Sequence, residues 1–333
     1  ARLLWARVIE ACGASPKPLR LHAESSWRML ARRDPHVNLL RATAATFAAA
    51  TAGADTLTVL PFTAAIGLPD RFARRMARNV QLVLAEESNL GYVADPAAGS
   101  GFIDSLTRDL AEEAWAQFQR HEAAGGIVEA LKAGSLTAQV DETRTARLRN
   151  VSRRKDALTG VSEFPNIHEA PAEVLAPAAV ANGSGGFQPM RLSEPFEALR
   201  DAADAMGDRP SVFLANLGLA ADFTVRSTWA ANLFEAGGIE APQNDGFAGL
   251  EEVVSAFNAS GSEIAVLCSS DAVYTEEAAG AAQALSGAGA KHVYLAGRPD
   301  DQLSAAGIGT FVYAGCDILA VLQETHRMLG VST

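Results

Sequence analysis

The chain has 333 residues, 48% of them hydrophobic, a mean hydropathy of +0.06 and a formal net charge of −11. That length predicts two domains, and that composition a folded protein with sizeable cores rather than a disordered one. The net charge disfavours nucleic acid as a partner, and no apolar run is long enough for a transmembrane helix.

In chain order, residues 1–12 read as a helix with Leu3, Leu4, Val8 and Ile9 on one face, and 18–23 as a short strand. Residues 36–52 read as a helix stopped by Gly53, and 56–62 as a strand. Asp70 is a good N-cap for a helix running to Ser88 with Phe72, Met76, Val80, Val83 and Leu84 inward. Residues 91–101 read as a strand and tight turn, and 104–133 as one long helix. Helices alternating with strands imply parallel strands joined by crossovers. The stretch around 165–190, rich in Pro, Ala and Gly, reads as an extended linker.

Beyond it the pattern is cleaner. Strands are expected at 211–217, 263–269, 292–297 and 310–315, and helices at 227–238, 250–261, 274–289 and 317–330. Each strand is apolar throughout and so buried on both faces, as in an open, doubly wound parallel sheet. Ligands of such sheets sit at the strand carboxyl ends, near a switch in strand order. The two parts also differ in charge. Residues 1–160 hold 21 Lys and Arg against 17 Asp and Glu, net +4, and residues 161–333 hold 7 against 22, net −15.

The common motifs are absent. No G-x-G-x-x-G follows a strand: GSGG at 183–186 lies in the linker and GAGA at 287–290 at a helix end. There is no P-loop lysine motif and no G-x-S-x-G elbow, and the six histidines form no i,i+4 pair for zinc. No metal site is expected. The dispersed Cys12, Cys268 and Cys316 exclude a zinc finger or a disulfide scaffold and suit a reducing cytoplasm. Cys268 and Cys316 read as small core residues, His22 as a structural histidine, and Arg74, Arg75 and Arg78 as a solvated helix face. Ser269, Ser270 and Asp271 end a strand, either as an N-cap cluster or as a ligand-facing loop.

Several stretches carry a resemblance. LRLHAESSWRMLARRDPHVNLLRAT (19–43) resembles a methylmalonyl-CoA mutase segment reading roughly L-R-T-H-C-Q-T-S-G-W and then D-P-Y-N-N-V-V-R-T. The strand and helix at 56–88, and YVADPAAGSGFIDSLT at 92–107, resemble the next parts of the same barrel. The second part resembles that family's cobalamin-binding domain. The resemblance implies the C-terminal part of a (β/α)8 TIM barrel at 1–160, a linker at 161–200 and a flavodoxin-like domain at 201–333. It places the earlier barrel strands before Ala1, so the chain is expected to be a fragment.

The departures indicate the kind of member. Catalytic members of the family hold adenosylcobalamin through D-x-H-x-x-G, whose imidazole lies under cobalt and is oriented by the Asp. Aligned from Leu217-Gly218, those positions are Ala220, Asp222 and Val225, so all three are changed. In the barrel part, Glu24 stands for the glutamine, and Ser26-Trp27-Arg28 for Ser-Gly-Trp. The N-A-F-D-E-A segment reads Leu60-Pro61-Phe62-Thr63-Ala64-Ala65, without carboxylates. Arg20, His22, Asn38 and Arg41 match substrate-channel positions, and Ser269, Ser270 and Gly297 are ligand-facing candidates of the second domain. The resemblance thus implies a cytoplasmic, non-catalytic small subunit that binds no cofactor and has no catalytic residue. It would pair with a large subunit carrying adenosylcobalamin and the radical exchange of methylmalonyl-CoA and succinyl-CoA, with a GTPase chaperone as a further candidate partner. The alternatives are an active acyl-CoA mutase with an altered cofactor site, and a stand-alone module binding a nucleotide or CoA ester.

Overall fold

The structure, a computed structural model, describes residues 1–178 and 187–332. Contacts divide the chain into two units. The first comprises 1–30, 35–145 and 172–190, the second 31–34, 146–171 and 191–333.

In the first unit, α1 (Arg2–Ala11) precedes β1 (His22–Glu24), α2 (Val37–Thr51) and β2 (Thr56–Thr58). β1 and β2 pair in parallel, with His22 opposite Thr56, as the crossover order requires. β3 (Gly67–Leu68) pairs antiparallel with a two-residue strand, Ala176–Pro177, and is followed by α3 (Arg71–Leu82). The Asp70 carboxylate accepts from the Ala73 N–H at 2.7 Å and starts α3 where the N-cap reading placed it. The expected inward face of α3 is wrong. Ala73 and Ala77 are the buried residues, because small side chains let α3 lie close to Ala42 and Val59, while Phe72 is left 43% exposed.

Two further expectations for this unit fail. Residues 91–101 form no strand but turns that lead into a helix at Gly101, with Asn89 before them at φ 52° and Tyr92 89% exposed. The long helix expected over 104–133 is two, α4 (Gly101–Ala123) and α5 (Ile127–Lys132), and α6 (Ser135–Ser152) follows beyond it without a sequence forecast. Gly125 and Gly126, at φ 98° and 87°, take a conformation that no helix continues through. The antiparallel strand Ala176–Pro177 is β4.

In the second unit, α7 (Glu194–Asp204) begins inside the stretch expected as linker. A buried ion pair orders that stretch. Arg191 Nη1 and Nη2 each lie 2.7 Å from one oxygen of Glu197, whose side chain is 1% exposed. The backbone N–H of Arg32 adds a bond of 2.7 Å to the same carboxylate. Val161 and Ser162, also assigned to the linker, are fully buried, and the GSGG at 183–186 lies outside the described residues.

The sheet of this unit has parallel strands β5 (Phe213–Asn216), β6 (Ile264–Cys268), β7 (His292–Ala296) and β8 (Thr310–Val312), adjacent in that order. Beside β5 runs a fifth extended segment at Glu240, which accepts from the Val212 N–H and donates to the Pro210 carbonyl, both at 2.8 Å. In space the Glu240 segment precedes β5 and β6 follows it, so the strand order reverses between β5 and β6.

Side chains alternate across the sheet into two cores. Val212, Leu214, Val266, Cys268 and Tyr294 face α7, α8 (Ala220–Ala236) and α13 (Ile318–Met328). Phe213, Ala215, Leu267 and Leu295 face α9 (Leu250–Ser260) and α11 (Ala279–Gly287). Each fully buried Leu, Val, Ile or Phe contributes about 1.5–3 kcal/mol relative to exposure. α10 (Asp271–Val273) runs through a wider π-turn at Tyr274–Ala278 into α11, and α12 (Asp301–Ala305) is a short helix without a sequence forecast. α8 begins seven residues before the forecast Ser227, which brings Asp222 into its first turn.

Candidate functional site

The carboxyl ends of β5 and β6, where the strand order reverses, are where a doubly wound sheet takes its ligands. The β5–α8 turn is made by Gly218 at φ 79°, and a Cβ there would meet Asp222 Oδ2 at 3.0 Å. Asp222 Oδ2 accepts from the Leu219 N–H at 3.0 Å and so caps α8. Its Oδ1 accepts from Ser270 Oγ at 3.3 Å, which ties the β5–α8 turn to the β6–α10 turn. Ala220 starts the helix, while Leu219 and Val225 stand 76% and 79% exposed at this edge.

The β6 end is bonded internally. Ser269 is fully buried, its hydroxyl donating to the Leu217 carbonyl at 2.7 Å and its N–H to Tyr274 Oη at 2.9 Å. The Tyr274 hydroxyl lies 3.0 Å from the carbonyls of both Leu267 and Ala296 and bridges β6 to β7. Burial pushes its phenol well above the usual range. Arg226 lies over the Tyr274 ring, 5.0 Å from the centroid. It donates to the Ser269 carbonyl at 2.8 Å and to Asp271 at 2.6 Å. Partial burial lowers the Arg226 pKa, but its bonds to Asp271 and Tyr274 outweigh this and hold it above the ordinary value.

Two clefts open along this edge. One of about 380 Å³ lies among Leu217–Leu219, Asp222, Phe247–Leu250, Val253 and Glu277. The other, of about 480 Å³, is walled by Arg226, Tyr274, Gly297 and Arg298 among others. Of the three loop candidates, Gly297 lines the second of these clefts, and a Cβ on it would meet Leu295 Cδ2 at 2.7 Å. Ser269 points into the sheet, and Ser270 accepts from the Val273 N–H at 3.5 Å as an N-cap.

The barrel-side candidates lie in the first unit. Asn38 is buried, donates to the Phe62 carbonyl at 2.8 Å and accepts from Arg41 at 2.7 Å. His22 Nδ1 meets Thr56 Oγ1 at 2.8 Å across the β1–β2 pair, and Arg20 is exposed. Among the described residues no three His, Cys, Asp or Glu side chains are placed to hold a metal ion, and no helix is long and apolar enough to cross a membrane. Sequence reasoning missed Arg226 and Tyr274. The only local signal was a tyrosine four residues after the Ser270 cap, and nothing local marks a mid-helix arginine as its partner.

Residues 1–192 match the family model described as methylmalonyl-CoA mutase. Over 338 residues the chain is 46% identical to the methylmalonyl-CoA mutase small subunit of Streptomyces virginiae, covering 100% of this chain and 54% of that protein. It is 41% identical to the small subunit from Propionibacterium freudenreichii subsp. shermanii, covering 99% of this chain and 53% of that one. To the methylmalonyl-CoA mutase of Rhizobium meliloti (strain 1021) it is 34% identical over 214 residues, 62% of this chain and 30% of that protein. The chain spans about half the length of the small subunits it matches.

Proposed function

The chain belongs to the methylmalonyl-CoA mutase family, and from that premise we propose that it is a non-catalytic small subunit supporting a large subunit that carries the isomerisation. Its first unit is then part of the family's (β/α)8 barrel, and its second a flavodoxin-like, cobalamin-binding-type domain. The Glu240-β5-β6-β7-β8 strand order, which is the 2-1-3-4-5 order of that class, supports the second assignment.

The observation that carries the non-catalytic reading is Asp222. At the position of the family's cobalt-ligating histidine stands a carboxylate whose oxygens are engaged by the Leu219 N–H and the Ser270 hydroxyl. It offers no imidazole nitrogen, and Ala220 supplies no carboxylate to orient one. Arg226 further crosses the carboxyl edge of β6, held by Ser269 and Asp271. These residues do not fit adenosylcobalamin, and no step of the reaction is assigned to them. In this reading Arg20, His22, Asn38 and Arg41 are remnants of a substrate channel, of which Asn38 alone is buried. The large subunit is the partner, with a GTPase chaperone as a second.

The test is the visible spectrum of adenosylcobalamin titrated with the chain alone and with the large subunit. The chain alone is expected to leave the spectrum unchanged, and Asp222→His by itself is expected not to create binding, because Ala220 and Val225 remain. Tight binding by the unaltered chain alone, with a shift to the histidine-ligated form, refutes the non-catalytic reading, and tight binding by Asp222→His refutes the part given to Ala220 and Val225. Failure to co-purify with the large subunit refutes the partnership.

A further inference from the structure

α3 carries four arginines, Arg71, Arg74, Arg75 and Arg78, at i, i+3, i+4 and i+7, which places them on one side of the helix. They are exposed and by themselves line a shallow cup of about 540 Å³. Among the described residues none of the four makes an ion pair. Elsewhere Arg2, Arg33, Arg191, Arg209 and Arg226 all meet carboxylates. The one carboxylate at the start of the helix, Asp70, is engaged by the Ala73 N–H, and α3 itself contains no acidic residue. Four like charges at these spacings repel one another, and nothing within the helix relieves them.

A second feature flanks this face beside Arg75. Phe72 is 43% exposed yet held edge-on against Phe62, with centroids 6.1 Å apart, and Arg75 lies over its ring at 5.5 Å. A fixed aromatic ring among guanidinium groups has the composition of an interface hot spot. Guanidinium forks pair with carboxylate or phosphate. The cup favours carboxylates borne by a polypeptide. It presents side-chain forks and no backbone N–H cradle for a phosphate, and it spreads them over about 10 Å of helix axis. The exposed ring offers an apolar contact that a side chain of a partner fills, and a net charge of −11 works against a nucleic acid.

We propose that this face of α3 docks an acidic polypeptide segment of a partner protein, with its carboxylates on the four arginines and an apolar side chain against Phe72 at their flank. The probe is a fluorescein-labelled acidic helical peptide of about 18 residues with Glu at i, i+3, i+4 and i+7. Its binding to the full chain is followed by anisotropy and compared with Arg74→Gln/Arg78→Gln. Glutamine keeps the helix propensity, so the variant folds, and circular dichroism checks that it does. The double variant is expected to bind at least about tenfold more weakly, and binding to the parent chain to fall as salt is raised. Equal affinity for parent and variant overturns the proposal, as does equal binding of a scrambled peptide of the same charge. Displacement by equimolar tripolyphosphate also overturns it and reassigns the cup to phosphate groups. Salt-sensitive self-association that the same variant abolishes reassigns it to a second copy of the chain.

Discussion

Replacing Glu197 by alanine tests the ion pair that orders the start of the second unit. The carboxylate is 1% exposed, takes both arms of the Arg191 fork at 2.7 Å, and accepts from the Arg32 N–H at 2.7 Å and Arg32 Nε at 3.1 Å. Removing it takes both short contacts from the buried Arg191 fork, itself 7% exposed, and leaves it the longer Glu194 contact at 3.5 Å. A buried pair broken in this way costs about 3–5 kcal/mol. With a urea slope of about 2 kcal/mol/M, the midpoint of the second unit's unfolding should fall by about 1.5–2.5 M, read by circular dichroism. A shift below about 0.5 M would refute the assignment. Arg191→Met/Glu197→Leu should recover most of the loss, because apolar residues of similar volume replace a buried pair at little cost. Arg32 then still has Asp201.

The pH dependence has a definite sign. Burial pushes the Glu197 carboxyl up, but the hydrogen bond and charge of Arg191 and the Arg32 N–H outweigh it and hold it below the ordinary value. A depressed carboxyl stabilises the fold above its unfolded pKa, near 4.3, and loses that contribution as pH falls through its lower folded value. The gap between the parent chain and Glu197→Gln should therefore be full at neutral pH and close below about pH 4. A gap that widens on acidification contradicts the paired carboxylate.

Two further outcomes are expected. Tyr274→Phe removes the acceptor of the buried Ser269 N–H and the bridge to the Leu267 and Ala296 carbonyls. The cost of about 1–3 kcal/mol should lower the melting temperature by at least about 2 °C, and an unchanged melting curve contradicts the bridge. Among the three thiols, exposed Cys12 should be alkylated in the native protein, while Cys268 and Cys316 react only after unfolding, since both are buried and burial pushes both thiols up. Peptide mass spectrometry decides it, and native labelling of Cys268 at the rate of Cys12 would show that the strand is open.

Much of the second unit was legible in the sequence, because its signals are local. β6 is five apolar residues bounded by polar ones, and α9 ends at Gly261 in a left-handed turn, so both were placed to within about a residue. The first unit was harder to read. Phe72 and Val83 fit an apolar helical stripe, yet packing selected Ala73 and Ala77, since a close helix approach rewards small side chains over large ones. The 91–101 stretch has strand-like residues, but no neighbouring strand pairs with it. α7 was hidden in an alanine- and proline-rich stretch whose ordering comes from Arg191 meeting Glu197 and Arg32 reaching it from 165 residues away.

The sequence by itself determined the family, carried by words such as LHAESSW and DPHVN, and the alternation of strand and helix across 211–330. Aligned from Leu217-Gly218, the resemblance also puts Asp222 where that family carries its cobalt-ligating histidine. Only the tertiary structure decided what that aspartate does. Its carboxylate closes the first turn of α8 and reaches Ser270, 48 residues on, at the neighbouring strand end. Arg226 likewise finds Ser269, Asp271 and Tyr274 more than 40 residues away. Such partners are brought together by the parallel crossovers of the sheet, and that long-range placement leaves no mark in the neighbouring residues.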